Sequence, residues 1–205
     1  MKMHFIKVFI TACLFALLIS SCDSESTQKN ELKGRYTLVS SLSPNSLTKV
    51  NLDVFINFKC PHCYQSHNFL IELQKKYGEQ LVINFRPVVE KGKVNDILKL
   101  FYIASLNAKE LETIKTIYEA VFVKQLDIED KDVVRNLAIK LGIEDQYVEN
   151  YKEQWIDNKI KRSITLARAY NLSMTPSMVI ESQLKLSNDI KNIDIVLNDL
   201  LIKDD

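Results

Sequence analysis

The feature that most constrains this chain is a cysteine pair, Cys60-Pro61-His62-Cys63, set between an apolar run and a helical pattern. Before it, apolar residues alternate at Val50, Leu52, Val54, Ile56 and Phe58, with Phe55 also apolar, which suits a central strand covered on both faces. After it, Pro61 suits a first helical turn, where its missing N–H is not needed. Phe69, Leu70 and Leu73 then repeat at helical spacing as far as Gly78, so the spacing predicts a helix over Pro61 to Tyr77. A strand, a cysteine pair and then a helix place Cys60 where unsatisfied backbone N–H groups and the positive end of the helix dipole favour an anion.

That placement has a chemical consequence. Disulfide exchange needs a thiolate to attack and a second thiol close enough to resolve the mixed disulfide, and a helix start lowers a thiol's pKa. Cys60, at the helix start, is the candidate attacking sulfur, and Cys63, inside the first turn, is the candidate resolving thiol. His62 between them can add positive charge or a hydrogen bond. A purely structural bridge fits poorly, because so short a loop restrains the unfolded chain little. A zinc site from Cys60, Cys63 and His67 at i, i+3 and i+7 lacks a second cysteine or histidine pair to supply its fourth ligand. His67 is then expected at the helix surface or the rim of a groove.

The first 22 residues differ from the rest. Lys2 and Lys7 precede an apolar run from Val8 to Ile19 broken only by Thr11, the pattern of an export signal, and the run is too short to span a bilayer comfortably. Cys13 lies within it. Ile19-Ser20-Ser21-Cys22 resembles a bacterial lipoprotein lipobox, which implies cleavage after residue 21, acylation of Cys22 and stable anchoring by two or more chains. The alternative is an unmodified Cys22 after a plain signal-peptidase site. Asp23 slightly favours the inner membrane. Residues 22–33 lack apolar periodicity and suit a polar tether. Export sets the redox setting, in which a close cysteine pair is either a bridge or a working couple.

Beyond Cys63 the pattern continues with a strand from Gln80 to Val89 and helical stripes between about Asn95 and Tyr170: Ile97/Leu100/Phe101/Ala104, Ile114/Ile117/Val121 and Val133/Leu137/Leu141. A longer helix from about Tyr151 to Tyr170 carries Trp155, Ile156, Ile160 and Ile164. Two short strands, Ser177 to Ile180 and Leu184 to Leu186, follow Thr175-Pro176, and a final amphipathic helix carries Ile193, Val196, Leu197 and Leu200. Near the start, Tyr36 to Val39 suits a strand and Ser43-Pro44-Asn45 a turn. The order indicates an α/β sandwich with a helical insertion at about 93–168. A chain of 205 residues suits one domain over 34–205, and a net charge of +1 with interspersed signs argues against nucleic acid as a partner.

Cys60-Pro61-His62-Cys63-Tyr64-Gln65 after an apolar strand resembles the DsbA family of periplasmic disulfide oxidases. Gly34-Arg35-Tyr36, the helical insertion, Trp155 and Thr175-Pro176 extend the similarity over the mature chain. The resemblance implies a thioredoxin fold and a redox disulfide between Cys60 and Cys63. It further implies that Pro176 is a cis-proline facing the pair and that Thr175 offers its backbone to a substrate strand. It implies no cofactor and no metal, reduced or misoxidised exported proteins as substrates, and a DsbB-like membrane partner that restores the disulfide. Two positions depart from the family: Thr175 stands where the best-known members carry Val, and neither Val54 nor His67 is the acid often found at those places. A one-residue offset puts Asp53 on the other face of the strand, so the proton path to Cys63 is open. Two other functions compete on the same residues: a reductase or isomerase, and a non-enzymatic client- or metal-binding lipoprotein.

Overall fold

A computed structural model describes residues 32–40, 47–89, 94–186 and 189–201. The expected signal, Cys22, most of the tether and the Ser43-Pro44-Asn45 turn lie outside the described residues. Strand β2 (Val50–Ile56) is buried at every position except Asn51, as its continuous apolar pattern requires. It pairs in parallel with β3 (Leu81–Pro87) and antiparallel with β4 (Ser177–Ile180). β4 pairs with β5 (Leu184–Leu186), which pairs with β1 (Tyr36–Leu38), both antiparallel, giving the order β1-β5-β4-β2-β3.

Helix α1 (Pro61–Tyr77) has the bounds that the sequence pattern predicts. Gly78 ends it at φ 53°, a left-handed conformation that favours glycine, and Lys75 and Lys76 sit in the last turn, where the dipole favours cations. The final helix, α7 (Ile190–Leu200), is capped by the Asp189 carboxylate, which accepts from the Lys191 N–H. It is tied to α1 through the Tyr77 hydroxyl, which donates to Asp194 at 2.8 Å. Buried Asn192 clasps the start of the domain: its side chain accepts from the Arg35 N–H and donates to the Arg35 carbonyl. Gly34, beside this clasp, has φ +101°, and a Cβ there would meet Val196 Cγ2 at 2.6 Å. Both the backbone and the space require glycine.

The insertion comprises α2 (Asp96–Ser105), α3 (Glu110–Tyr118), α4 (Lys131–Lys140), α5 (Glu144–Asn150) and α6 (Gln154–Ala169). Asn95 and Asp130 cap α2 and α4 with side-chain acceptors. The stripe Ile97, Leu100, Phe101 and Ala104 is buried as its spacing requires.

The structure departs from the sequence pattern in three places. After Tyr118 the helix widens into a π-type turn over Glu119–Val123, which brings Ala120 into the core and leaves Val121 half-buried. Val134, not Val133, faces inward in α4. The long helix starts at Gln154 rather than near Tyr151: Tyr151 is the C-cap residue of α5, and its hydroxyl donates across to Asp96 of α2 at 2.6 Å.

Alternation along β2 divides its side chains between two layers. Val50, Leu52, Val54 and Ile56 join the main core, whereas Phe55 packs with Tyr170 and Val179 in a smaller cluster. Asp53, on the same face as Phe55, is buried and holds Arg86 of β3, with Nε and Nη2 both 3.0 Å from one carboxylate oxygen. Burying that carboxylate without a cation would cost several kcal/mol, so the acid beside Val54 is committed to an ion pair on the far layer.

Candidate active site

β2 ends at Ile56, and a tight turn carries the chain into α1. Asn57 organises it: its carbonyl accepts from the Cys60 N–H at 3.0 Å and its side-chain oxygen from the Lys59 N–H at 2.8 Å. Cys60 is the N-cap residue of α1, with extended backbone (φ −91°, ψ 116°), and Pro61 occupies the first turn. The Cys60 carbonyl accepts from Cys63 and Tyr64. Its sulfur makes no side-chain cap hydrogen bond, but the backbone N–H groups of His62 and Cys63 favour it as an anion.

The second half of the site comes from the other end of the domain. The Thr175–Pro176 bond is cis, and the Cys60 thiol donates to the Thr175 carbonyl at 3.2 Å. The Thr175 side chain acts in the opposite sense, favouring the thiolate form of Cys60 and of Cys63. Partial burial pushes the Cys60 pKa up, but the Thr175 hydroxyl, the Cys63 N–H and side chain and the His62 N–H outweigh it, and the net direction is down.

Cys63 is its opposite. The side chain is 1 % exposed, and burial pushes its thiol up to about 12, against the Asn57 N–H, which donates to the sulfur at 3.5 Å. The two thiols are therefore shifted in opposite directions, Cys60 toward the anion and Cys63 toward the protonated form. Both cysteines are free thiols.

The expected site residues divide clearly. Cys60, Cys63, Thr175 and Pro176 converge; His62 is exposed on the first turn of α1; Cys22 lies outside the described residues. Lys59 does not lend its charge to the pair, because its ammonium bonds Glu129 at 2.6 Å, with Asp127 at 3.8 Å.

His67 corrects the sequence reading. It is neither a surface nor a rim residue but is 5 % exposed, with neither ring nitrogen hydrogen-bonded among the described residues and its ring edge-on to Tyr118 at 5.8 Å. Leu70 and Leu73 of α1 are buried too, and His67 shares their face. Burial, and then the Lys115 ammonium, lower its pKa and keep it neutral. Among the described residues no cluster of three or more His, Cys, Asp or Glu side chains could hold a metal ion.

Sequence reasoning missed Tyr118 and Phe122. Tyr118 faces the pair from the end of α3, and Phe122 stacks on Tyr64 of α1 at 5.0 Å and 8°. Their signal was faint: Tyr118 follows Ile117 on a packing stripe and is the only member of it with a polar tip. Two openings among the described residues meet at Asn57, one reaching Lys59 and the other Thr175. A groove of about 360 Å³ runs along Phe55, Val88, Ala167, Leu172, Met174 and Thr175, and a cavity of about 560 Å³ includes Asn57, Phe58, Lys59, Ile97 and Ile128.

A family model, the DSBA-like thioredoxin domain, matches residues 76–200, well over half of the chain. The chain belongs to this family. The matched segment begins after the cysteine pair, so family membership and the Cys60-Pro61-His62-Cys63 motif are separate observations that agree.

Solved structures share the fold. Pseudomonas aeruginosa DsbA superposes with a TM-score of 0.66 at 16% identity, covering 80% of this chain and 89% of that one. A DsbA from Proteus mirabilis with a non-covalently bound peptide gives 0.64 at 17%, covering 82% and 96%. A structure described as a putative protein disulfide isomerase from Nitrosomonas europaea gives 0.62 at 14%, covering 73% and 95%. At these identities the likeness is one of fold. No curated protein matches the chain. The DSBA-like fold and its family place this chain among the thiol–disulfide oxidoreductases.

Proposed function

We propose that the chain is an exported, lipid-anchored dithiol oxidase that introduces disulfide bonds into client proteins outside the cytosol. One observation carries the reading: the unequal pair, with Cys60 favoured as an anion at a helix start and Cys63 buried and held as a thiol. In the oxidised protein a client thiolate attacks Cys60, the Cys60–Cys63 bond breaks, and Cys63 takes the electron pair. A second client thiolate then attacks the client sulfur of the mixed disulfide and releases Cys60 as a thiolate. A sulfur that is stable as an anion leaves readily, so a lowered Cys60 pKa favours electron flow from client to protein.

The client strand runs beside Thr175, whose backbone precedes the cis-proline, with the flanking groove taking its apolar side chains. His62 modulates the pair from the exposed side. A DsbB-like membrane partner takes the electrons from Cys60 and Cys63 and returns the disulfide. Residues 1–21 act as the lipoprotein signal, acylated Cys22 is the anchor, and 22–33 form the tether that sets the domain off a membrane facing the periplasm. No helix among the described residues is long and apolar enough to cross a membrane, and the lipobox-like Ile19-Ser20-Ser21-Cys22 supports attachment by lipid instead.

The test is substrate trapping in cells. C63A should accumulate mixed disulfides between Cys60 and exported proteins that disappear on reduction, and C60S should accumulate none. Clients retained by C60S would instead indicate a non-enzymatic binding protein. Metabolic labelling with a fatty acid should mark wild type and not C22S.

A further inference from the structure

Tyr118 is the largest fully buried side chain among the described residues; its hydroxyl meets no nitrogen or oxygen partner among them, and the side chain that acts on it is Cys63. A buried donor without an acceptor is rare enough in folded proteins to need a reason. The ring is held on several sides: by Tyr64 at 5.7 Å, His67 at 5.8 Å, Phe58 at 6.0 Å and Phe122 at 6.0 Å between ring centroids. Cys63 and His67 are one turn apart on α1 and share a face, so a ring against both Tyr64 and His67 lies beside the Cys63 sulfur. The groups that act on the phenol electrostatically are Cys63 first and then Cys60, whereas the charge acting on His67 is Lys115. Of the two unpartnered rings, the tyrosine is the one directed at the pair.

We propose that the Tyr118 hydroxyl is a further hydrogen-bond donor, beside the Asn57 N–H, that stabilises the Cys63 sulfur as an anion while the disulfide is made and broken. This rests on the pair being redox-active, as proposed above. In the oxidising direction the client thiolate bonds to Cys60, the Cys60–Cys63 bond breaks, and the electron pair arrives on a sulfur with almost no access to water. When the disulfide is restored, Cys63 attacks Cys60, and the proton it gives up is taken by the departing thiolate. In both directions a negative charge appears at Cys63 in a low-dielectric setting, where a preplaced donor matters most. Burial pushes the phenol far above its ordinary range, so Tyr118 stays protonated and donates without surrendering its proton.

The experiment follows the reduced protein mixed with oxidised glutathione, quenched with acid and resolved by mass. In wild type, glutathione first bonds to Cys60, and Cys63 then displaces it. Y118F keeps the ring and removes the donor. Formation of the glutathione adduct should be unchanged and its resolution about 10- to 100-fold slower, the range for one hydrogen bond to a charged group, so that the adduct accumulates. In a C63A background, Y118F should leave the rate of adduct formation unaltered, which a general loosening of the site would not.

Resolution at the wild-type rate, or equal slowing of both steps, would overturn the proposal. If wild type itself forms neither adduct nor disulfide, the redox reading fails and this inference with it. Should Y118F not fold, fluorotyrosine placed at position 118 keeps the shape and strengthens the donor. Resolution should then be faster, and an unchanged rate would count against the role.

Discussion

The Cys60 sulfur lies 3.2 Å from the backbone carbonyl of Thr175, 115 residues further along the chain. This contact joins the N-cap of α1 to the residue before the cis-proline, so one corner of the sheet holds both the proposed nucleophile and the backbone proposed to pair with a client strand. The hydroxyl of the same threonine favours the thiolate, while the carbonyl accepts from the thiol.

The two thiols should react very differently with an alkylating agent. In the reduced native protein at neutral pH, iodoacetamide should modify Cys60 alone, with a rate that levels off below the ordinary thiol range. Cys63 should remain unmodified until the protein unfolds or the pH nears the value of about 12 to which burial pushes it. Peptide mapping after brief labelling distinguishes the two, and equal labelling of both cysteines would contradict the asymmetry.

T175V replaces the hydroxyl by a methyl of similar shape. It should raise the Cys60 pKa, so that the alkylation rate levels off about one pH unit higher, the lower end for losing one hydrogen bond to an anion. The oxidised form should become a weaker oxidant in the same direction. An unchanged rate profile would mean that the helix N–H groups alone hold the anion.

The lowered Cys60 pKa makes the reduced fold depend on pH. For an acid whose folded pKa is depressed, the contribution to stability is fully present above the unfolded thiol pKa, about 8.5, and is lost as pH falls through the folded value. Denaturant unfolding of the reduced protein should therefore show a gain from mildly acidic to mildly alkaline pH that C60S lacks. Cys63 has the opposite sign and a folded pKa of about 12, so its contribution is present below the unfolded thiol pKa and is lost as pH rises toward that value.

His67 adds an acid-side dependence in every redox state. Its folded pKa is depressed by burial and then by Lys115, so the neutral ring suits the fold above the unfolded value of about 6.5. Stability is lost as pH falls below it. His67→Leu should flatten this limb and, by removing two unpartnered polar atoms, leave neutral-pH stability equal to wild type or higher by about 1 kcal/mol. A persistent acid limb in the variant would assign it to other groups.

Much of the site was legible because its chemistry is local. A covered strand, a proline suited to a helix start and two cysteines three apart place Cys60 at the N-cap of α1 without reference to the rest of the chain. Thr175 and Pro176 are too remote for spacing to join them to Cys60, and there the family resemblance supplied what periodicity could not. His67 was misread although it shares a face with Leu70 and Leu73, because a histidine's polarity argued for the surface and outweighed its position. Tyr118 was invisible for a different reason: its meaning depends on how α3 packs across α1, a tertiary relationship. The π-type turn after it likewise breaks a stripe that spacing would have continued to Val121.

The most direct test of the account is the equilibrium of the purified mature protein with reduced and oxidised glutathione, read from the fraction of Cys60–Cys63 disulfide. The account expects the equilibrium to lie far toward the dithiol, as for a couple whose reduced form carries a stabilised thiolate. A disulfide that persists in excess reduced glutathione, together with a Cys60 that ionises like an ordinary exposed thiol, would contradict it.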